Sequence, residues 1–150
     1  MDAVDKKILN TIQTKFPIVP KPYEAIGKDV GISETEVITR IGNLKKEGII
    51  RRIGATYDPR KLGFVSSLCA AKVPSEKIKK FVDVVNSYSG VTHNYERDNE
   101  YNVWFTFIDE SMEEVEHTLK EISQKTGVKD IRNLPTVRFF KIRVDFDMEK

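Results

Sequence analysis

From Gly63 onward the apolar residues change period in a fixed order, and that order limits the fold more than any other feature of the chain. FVSSLCAAKV reads as a strand, and Pro74-Ser75 then opens a helix with Ile78, Phe81, Val82 and Val85 on one face. VTHNYER and YNVWFTFI read as two strands joined by the polar turn Asp98-Asn99-Glu100. Ser111 with Glu114 is a capping-box pattern, and Val115, Leu119 and Ile122 form the buried stripe of the helix behind it. TVRFFKIRVDF is expected to be the last strand. The order βαββαβ is that of the ferredoxin-like split unit. The open face and exposed edges of so small a sheet predict at least a dimer.

The first fifty residues follow a helical period instead. Val4, Ile8, Leu9 and Ile12 mark one stripe, which Phe16-Pro17 ends. The turn FPIVPKP leads into a second helix over Tyr23–Val30, for which Gly31 is a natural left-handed stop. Ser33 and Glu36 form another capping-box pattern, with Val37, Ile41 and Leu44 behind it and Gly48 closing the helix. IIRRIGATYD then reads as a wing strand. The expectation is an α+β chain, with an N-terminal winged helix–turn–helix over residues 1–62 and a βαββαβ domain over residues 63–150.

Several function classes are disfavoured at this level. No apolar run approaches the roughly 20 residues of a membrane span, and MDAVDKK carries neither the basic nor the apolar region of a secretory signal. The single cysteine, Cys69, rules out an intramolecular disulfide and any all-cysteine metal site within one chain. A cytoplasmic protein is expected. A net charge of +2 is too small to argue for nucleic acid by itself.

The segment THNYERDNEYNVWFTF holds the chemistry. As a strand from Val91, it sends Val91, His93, Tyr95 and Arg97 to one face, and Thr92, Asn94 and Glu96 to the other. A titratable ring, a phenol and a guanidinium on one face suit the holding and protonation of a flat anionic ligand. The same residues would also serve as an ordinary half-exposed strand whose long side chains cover an apolar edge.

A winged helix followed by a βαββαβ module resembles the Lrp/AsnC (AsnC/RAM-like) regulators. A narrower resemblance runs along nearly the whole chain. FPIVPKPYEAIGKDVGIS, GIIRRIGATYDPRKLGF, GVTHNYERDNEYNVWFT and LPTVRFFKIRVDFD resemble the corresponding segments of sirohaem decarboxylases, and the HNY-x-R…YNVWFT form resembles their A-type subunit. The resemblance implies a carbon–carbon lyase of alternative haem biosynthesis. Such an enzyme removes carbon dioxide from the C12 and C18 acetates of sirohaem to give 12,18-didecarboxysirohaem. It implies no cofactor beyond the iron tetrapyrrole substrate, and a paralogous B-type subunit as partner.

This chemistry needs cations for the carboxylates, a surface for the ring and a proton donor. Arginine binds carboxylate bidentately, which makes Arg51, Arg52, Arg60, Arg97 and Arg138 candidates. His93 is either a proton donor or an axial ligand to the substrate iron. Tyr95 is a proton donor or a carboxylate binder, and Tyr101 and Trp104 are candidates to stack on or fence the macrocycle. Thus His93, Tyr95 and Arg97 form the expected catalytic group. Arg51, Arg52, Arg60, Tyr101, Trp104 and Arg138 form the expected binding group. His117, off the apolar stripe of its helix, is left out.

Two other classes compete. A DNA-binding regulator would read bases with the helix over residues 33–47, but Arg40, Lys45 and Lys46 there are matched by Glu34, Glu36 and Glu47. DNA is therefore not the expected partner. The third class is a catalytically silent subunit whose paralogue carries the chemistry.

Overall fold

The structure is a computed structural model that describes residues 1–141 and 145–148. It divides into two compact units, Met1–Ala55 with Lys141–Lys150, and Thr56–Phe140.

The first unit contains three helices, α1 (Ala3–Lys15), α2 (Pro22–Val30) and α3 (Glu34–Lys46). Asp2 and Asp5 cap α1 reciprocally, each carboxylate accepting the other's backbone N–H at 2.9 Å. Pro22 opens α2, and Gly31, at φ 85°, closes it in the left-handed region that a side chain would resist. Ser33 caps α3 by accepting from the Glu36 N–H. Only half of the expected box forms there, because the Glu36 carboxylate accepts from Arg40 Nε at 2.9 Å instead. Ile8, Leu9, Ile26, Val37, Ile41, Leu44 and Ile50 make the core of this unit.

The wing strand is not found. Ile50 turns back into the helical core, its N–H bonding to the Leu44 carbonyl, and the following residues carry no strand. A wing needs a second strand to pair with, and among the described residues this unit has none. The chain end also departs from expectation. Residues 141–150, assigned from the sequence to the second module, group with the first unit. The Gln13 side-chain amide donates to the Phe146 carbonyl at 2.7 Å and accepts from the Phe146 N–H at 2.9 Å, as a neighbouring strand would.

The second unit follows the expected order: β1 (Val65–Ala71), α4 (Ile78–Asn86), β2 (Val91–Glu96), β3 (Val103–Asp109), α5 (Met112–Thr126) and β4 (Ile131–Pro135). The strands lie in the order β2-β3-β1-β4 and every neighbouring pair is antiparallel. Cys69, Ala71, Val103, Phe105 and Phe107 point from the sheet to meet Phe81, Val85, Val115, Leu119 and Ile122 of the helices. Alternation then sends the remaining side chains to the other, open face.

The last strand starts earlier than TVRFFKIRVDF. Ile131–Pro135 takes the place beside β1, residues 136–141 carry no strand, and residues 142–144 lie outside the described residues. IRNLP fits that edge because Ile131 and Asn133 face the helices while Pro135, which lacks an N–H, ends the ladder.

Candidate active site

The open face of the second unit gathers several of the candidate residues, and the strand register fixes which ones share it. Directly opposed antiparallel residues share a face. One row runs Tyr95, Trp104, Ala70, Arg132 across the four strands, and the next runs His93, Thr106, Leu68, Leu134. A β-bulge between Val91 and His93 corrects one expectation. Val91 pairs with Phe107 and packs on the helix-side core, while His93, Tyr95 and Arg97 remain associated with the open face. Gly90 helps to hold this edge, since its carbonyl accepts from Ile108 N–H and an added Cβ would lie 2.3 Å from the Ile108 oxygen.

His93 and Tyr95 lie nearly parallel, with ring centroids 6.0 Å apart. Thr92 Oγ1 lies 3.1 Å from His93 Nδ1, which leaves Nε2 as the outward nitrogen of the exposed ring. Tyr95 is 53% exposed. The Arg97 guanidinium sits 6.0 Å from the centre of the Trp104 ring, and the indole N–H donates to the Tyr101 carbonyl. Leu68, Tyr95, Arg97, Trp104, Phe105 and Thr106 line a cavity of about 260 Å³ here. It is partly open, and its lining combines apolar surface with the Arg97 and Tyr95 side chains.

Tyr101 stands at the same end of the sheet. Its hydroxyl donates to both oxygens of Asp130, at 3.0 and 3.1 Å. Burial and this donation raise its pKa, so it stays a neutral phenol.

Arg60 and Arg138 of this unit are not among the residues that line that cavity. The Arg60 fork is already bound, with Nε and NH2 donating to the two oxygens of Asp58 at 2.9 and 2.7 Å, and its plane stacks 4.5 Å from the Phe139 ring centre. Arg138 lies 5.1 Å from the ring centre of its own neighbour Phe140. Arg51 and Arg52 are exposed residues of the first unit. Cys69 faces the helices, and burial pushes its thiol up to about 12, so it offers no nucleophile. His117 is exposed on α5 beside Glu121.

Arg132 was missed from the sequence because β4 was placed too late. Once Ile131 and Asn133 are seen to point inward, parity alone puts Arg132 and Leu134 on the open face. Among the described residues there is no cluster of three or more histidine, cysteine or acidic side chains that would hold a metal ion, and no helix is long and apolar enough to cross a membrane.

Known proteins share both this arrangement and the sequence. Residues 5–51 match the siroheme decarboxylase NirDL-like helix–turn–helix domain, and residues 61–141 match the AsnC-like ligand binding domain. The chain is 56% identical to the "Siroheme decarboxylase alpha subunit" of Oleidesulfovibrio alaskensis over 150 residues, covering all of this chain and 91% of that one.

The chain belongs to the sirohaem decarboxylase family.

A solved sirohaem decarboxylase, NirDL in complex with an iron-uroporphyrin III analogue, has a TM-score of 0.70 at 33% identity. That match covers 94% of this chain and 48% of the NirDL chain. The fold itself is more widespread: an AsnC family transcriptional regulator from Agrobacterium tumefaciens gives a TM-score of 0.81 at 22% identity, covering 99% of this chain and 98% of the regulator. The helix–turn–helix followed by an α+β domain is therefore common to regulators and sirohaem decarboxylases. Family membership comes from the sequence.

Proposed function

We propose that this chain is one subunit of a sirohaem decarboxylase that removes carbon dioxide from the C12 and C18 acetate side chains of sirohaem, giving 12,18-didecarboxysirohaem. The supporting observation is the open sheet face, where His93, Tyr95 and Arg97 border an apolar floor that includes Trp104. A large flat ring with carboxylate arms needs such a floor beneath it and cations around it.

Each turnover breaks the bond between an acetate methylene carbon and its carboxylate. The electron pair stays on that carbon, carbon dioxide leaves, and one proton completes a methyl group. A guanidinium on the departing carboxylate would stabilise the ground state, because that charge disappears as carbon dioxide forms. Arg97 is better used on a carboxylate that does not react. The reacting acetate is then left to the less polar surface of Leu68, Trp104 and Thr106. His93 and Tyr95 are the two groups suited to deliver the proton, and the exposed His93 ring would alternatively serve as an axial ligand to the substrate iron. No cofactor beyond the iron tetrapyrrole is invoked.

The partner in this reading is a paralogous B-type subunit. The solved NirDL chain supports it, since more than half of that chain remains beyond the part this one covers, enough for a second module of the same size. We place the reaction in the cytoplasm, as suits a chain whose lone cysteine is buried and asks for no disulfide. DNA is not the partner we propose. Arg40, the only arginine of α3, is engaged by Asp2 at 2.8 Å, Asp5 at 3.0 Å and Glu36 at 2.9 Å, which removes it from contact with phosphate.

The test is anaerobic incubation of sirohaem with this chain, alone and with its paralogue, followed by mass spectrometry of the extracted tetrapyrrole. Stepwise loss of two carboxyl groups is expected from the pair. An unchanged mass and an unchanged absorption spectrum would remove the enzyme reading and bring back the regulator. If turnover in the pair survives loss of both His93 and Arg97, this chain is the silent member.

A further inference from the structure

The geometry assigns to Arg132 the role of a second carboxylate clamp on the sirohaem platform, opposite Arg97. This role rests on the decarboxylase reading and names a residue that positions its substrate. Arg132 ends the row that begins with Tyr95 and Trp104, three inter-strand steps from β2. The backbones at the two ends of that row are roughly 14 Å apart, on the scale of a macrocycle whose carboxylate arms project from opposite sides. The two arginines thus stand at opposite margins of one apolar surface.

Arg132 is oriented in advance. Its guanidinium lies 4.6 Å from the centre of the Tyr101 ring, and that ring is fixed by the hydroxyl's two contacts to Asp130. Arg132 is only loosely engaged within the chain: its Nε pairs with Asp130 Oδ1 at 3.8 Å, longer than a hydrogen bond, its guanidinium also interacts with Tyr101, and the side chain is 61% exposed. Arg60 and Arg40 differ in this respect, because their forks are already filled by carboxylates of the chain itself. Asp130 offsets part of the Arg132 charge, but its oxygens already accept from Tyr101. An exposed guanidinium stacked on an anchored ring, with only a long ion pair to Asp130, suits bidentate capture of a substrate carboxylate.

The experiment measures binding of iron-uroporphyrin III to the paired subunits by absorption titration, for wild type, Arg132→Gln and Arg132→Lys. An iron porphyrin without carboxylate arms is the control ligand, and thermal melting reports folding. Arg132→Gln is expected to weaken iron-uroporphyrin III binding by roughly 10-fold or more, with Arg132→Lys recovering part of the loss. Binding of the control ligand should not change. If the Gln variant binds iron-uroporphyrin III as wild type does, while wild type still decarboxylates sirohaem, the Arg132 role is overturned and the decarboxylase reading stands. Equal weakening for both ligands would also overturn it, by showing that Arg132 only supports Tyr101. If wild type neither binds the tetrapyrrole nor turns sirohaem over, the decarboxylase reading fails and takes this role with it.

Discussion

At the scale of single residues, the useful distinction is between side chains that are already engaged and those that are not. Sequence set Arg97 apart only by its strand face, whereas the structure shows Arg60 held by Asp58 while Arg97 and Arg132 border the open face. The shared face of His93, Tyr95 and Trp104 was legible because they lie on one hairpin, where period-two alternation predicts it. The Arg60 pairing could not be anticipated, because no local pattern announces that an aspartate two residues earlier will claim its fork. For His93, replacement by Gln is expected to lower kcat by roughly 100-fold or more, the range for a lost proton donor. The absorption spectrum of bound sirohaem separates the two roles. An unshifted band with a lost limb in the pH–rate profile marks a proton donor, and a shifted band marks an iron ligand. Wild-type turnover in the His93→Gln pair would leave Tyr95 or the partner subunit as donor.

At the scale of elements, the order βαββαβ could be read from periodicity, whereas register and strand ends could not. Alternation counted from Val91 carries through a bulge it cannot detect, so it put Val91 on the wrong face and the rest of the strand on the right one. The last strand was expected over TVRFFKIRVDF, although IRNLP is the stretch that pairs with β1. What decides between them is a partner edge, which is a tertiary property. The wing failed for the same reason. The β2 edge gives a direct test in Gly90→Ala. The new methyl would lie 2.3 Å from the Ile108 carbonyl oxygen and 3.1 Å from the Phe107 ring, so β2 or β3 must shift. The expected cost is about 1–3 kcal/mol, read from urea denaturation, with turnover falling alongside because His93 and Tyr95 ride on the displaced strand. Unchanged stability would mean that the bulge absorbs the methyl.

At the scale of the whole molecule, the helix–turn–helix unit spends its charges on itself. Arg40 joins α3 to the start of α1 through Asp2 and Asp5, so this arginine is occupied within the unit rather than presented to a polyanion. This tie has a pH signature whose sign is fixed. The Asp5 backbone N–H and then Arg40 hold the Asp2 carboxyl at about 2, below its ordinary 3.8. A depressed carboxylate contributes stability fully above the unfolded value and loses it as pH falls through the folded one. Asp2→Asn keeps an oxygen for the Asp5 N–H and removes the charge facing Arg40. The variant should therefore melt below wild type at pH 6, and the gap should close as pH falls from about 4 toward 2. Added salt should narrow the gap at pH 6, because the pair is exposed to solvent and screened. Circular dichroism melts of both proteins across that range measure it. A gap that persists at pH 2 would place the role of Asp2 in its capping geometry, and Arg40 would then be less firmly tied than its three contacts indicate.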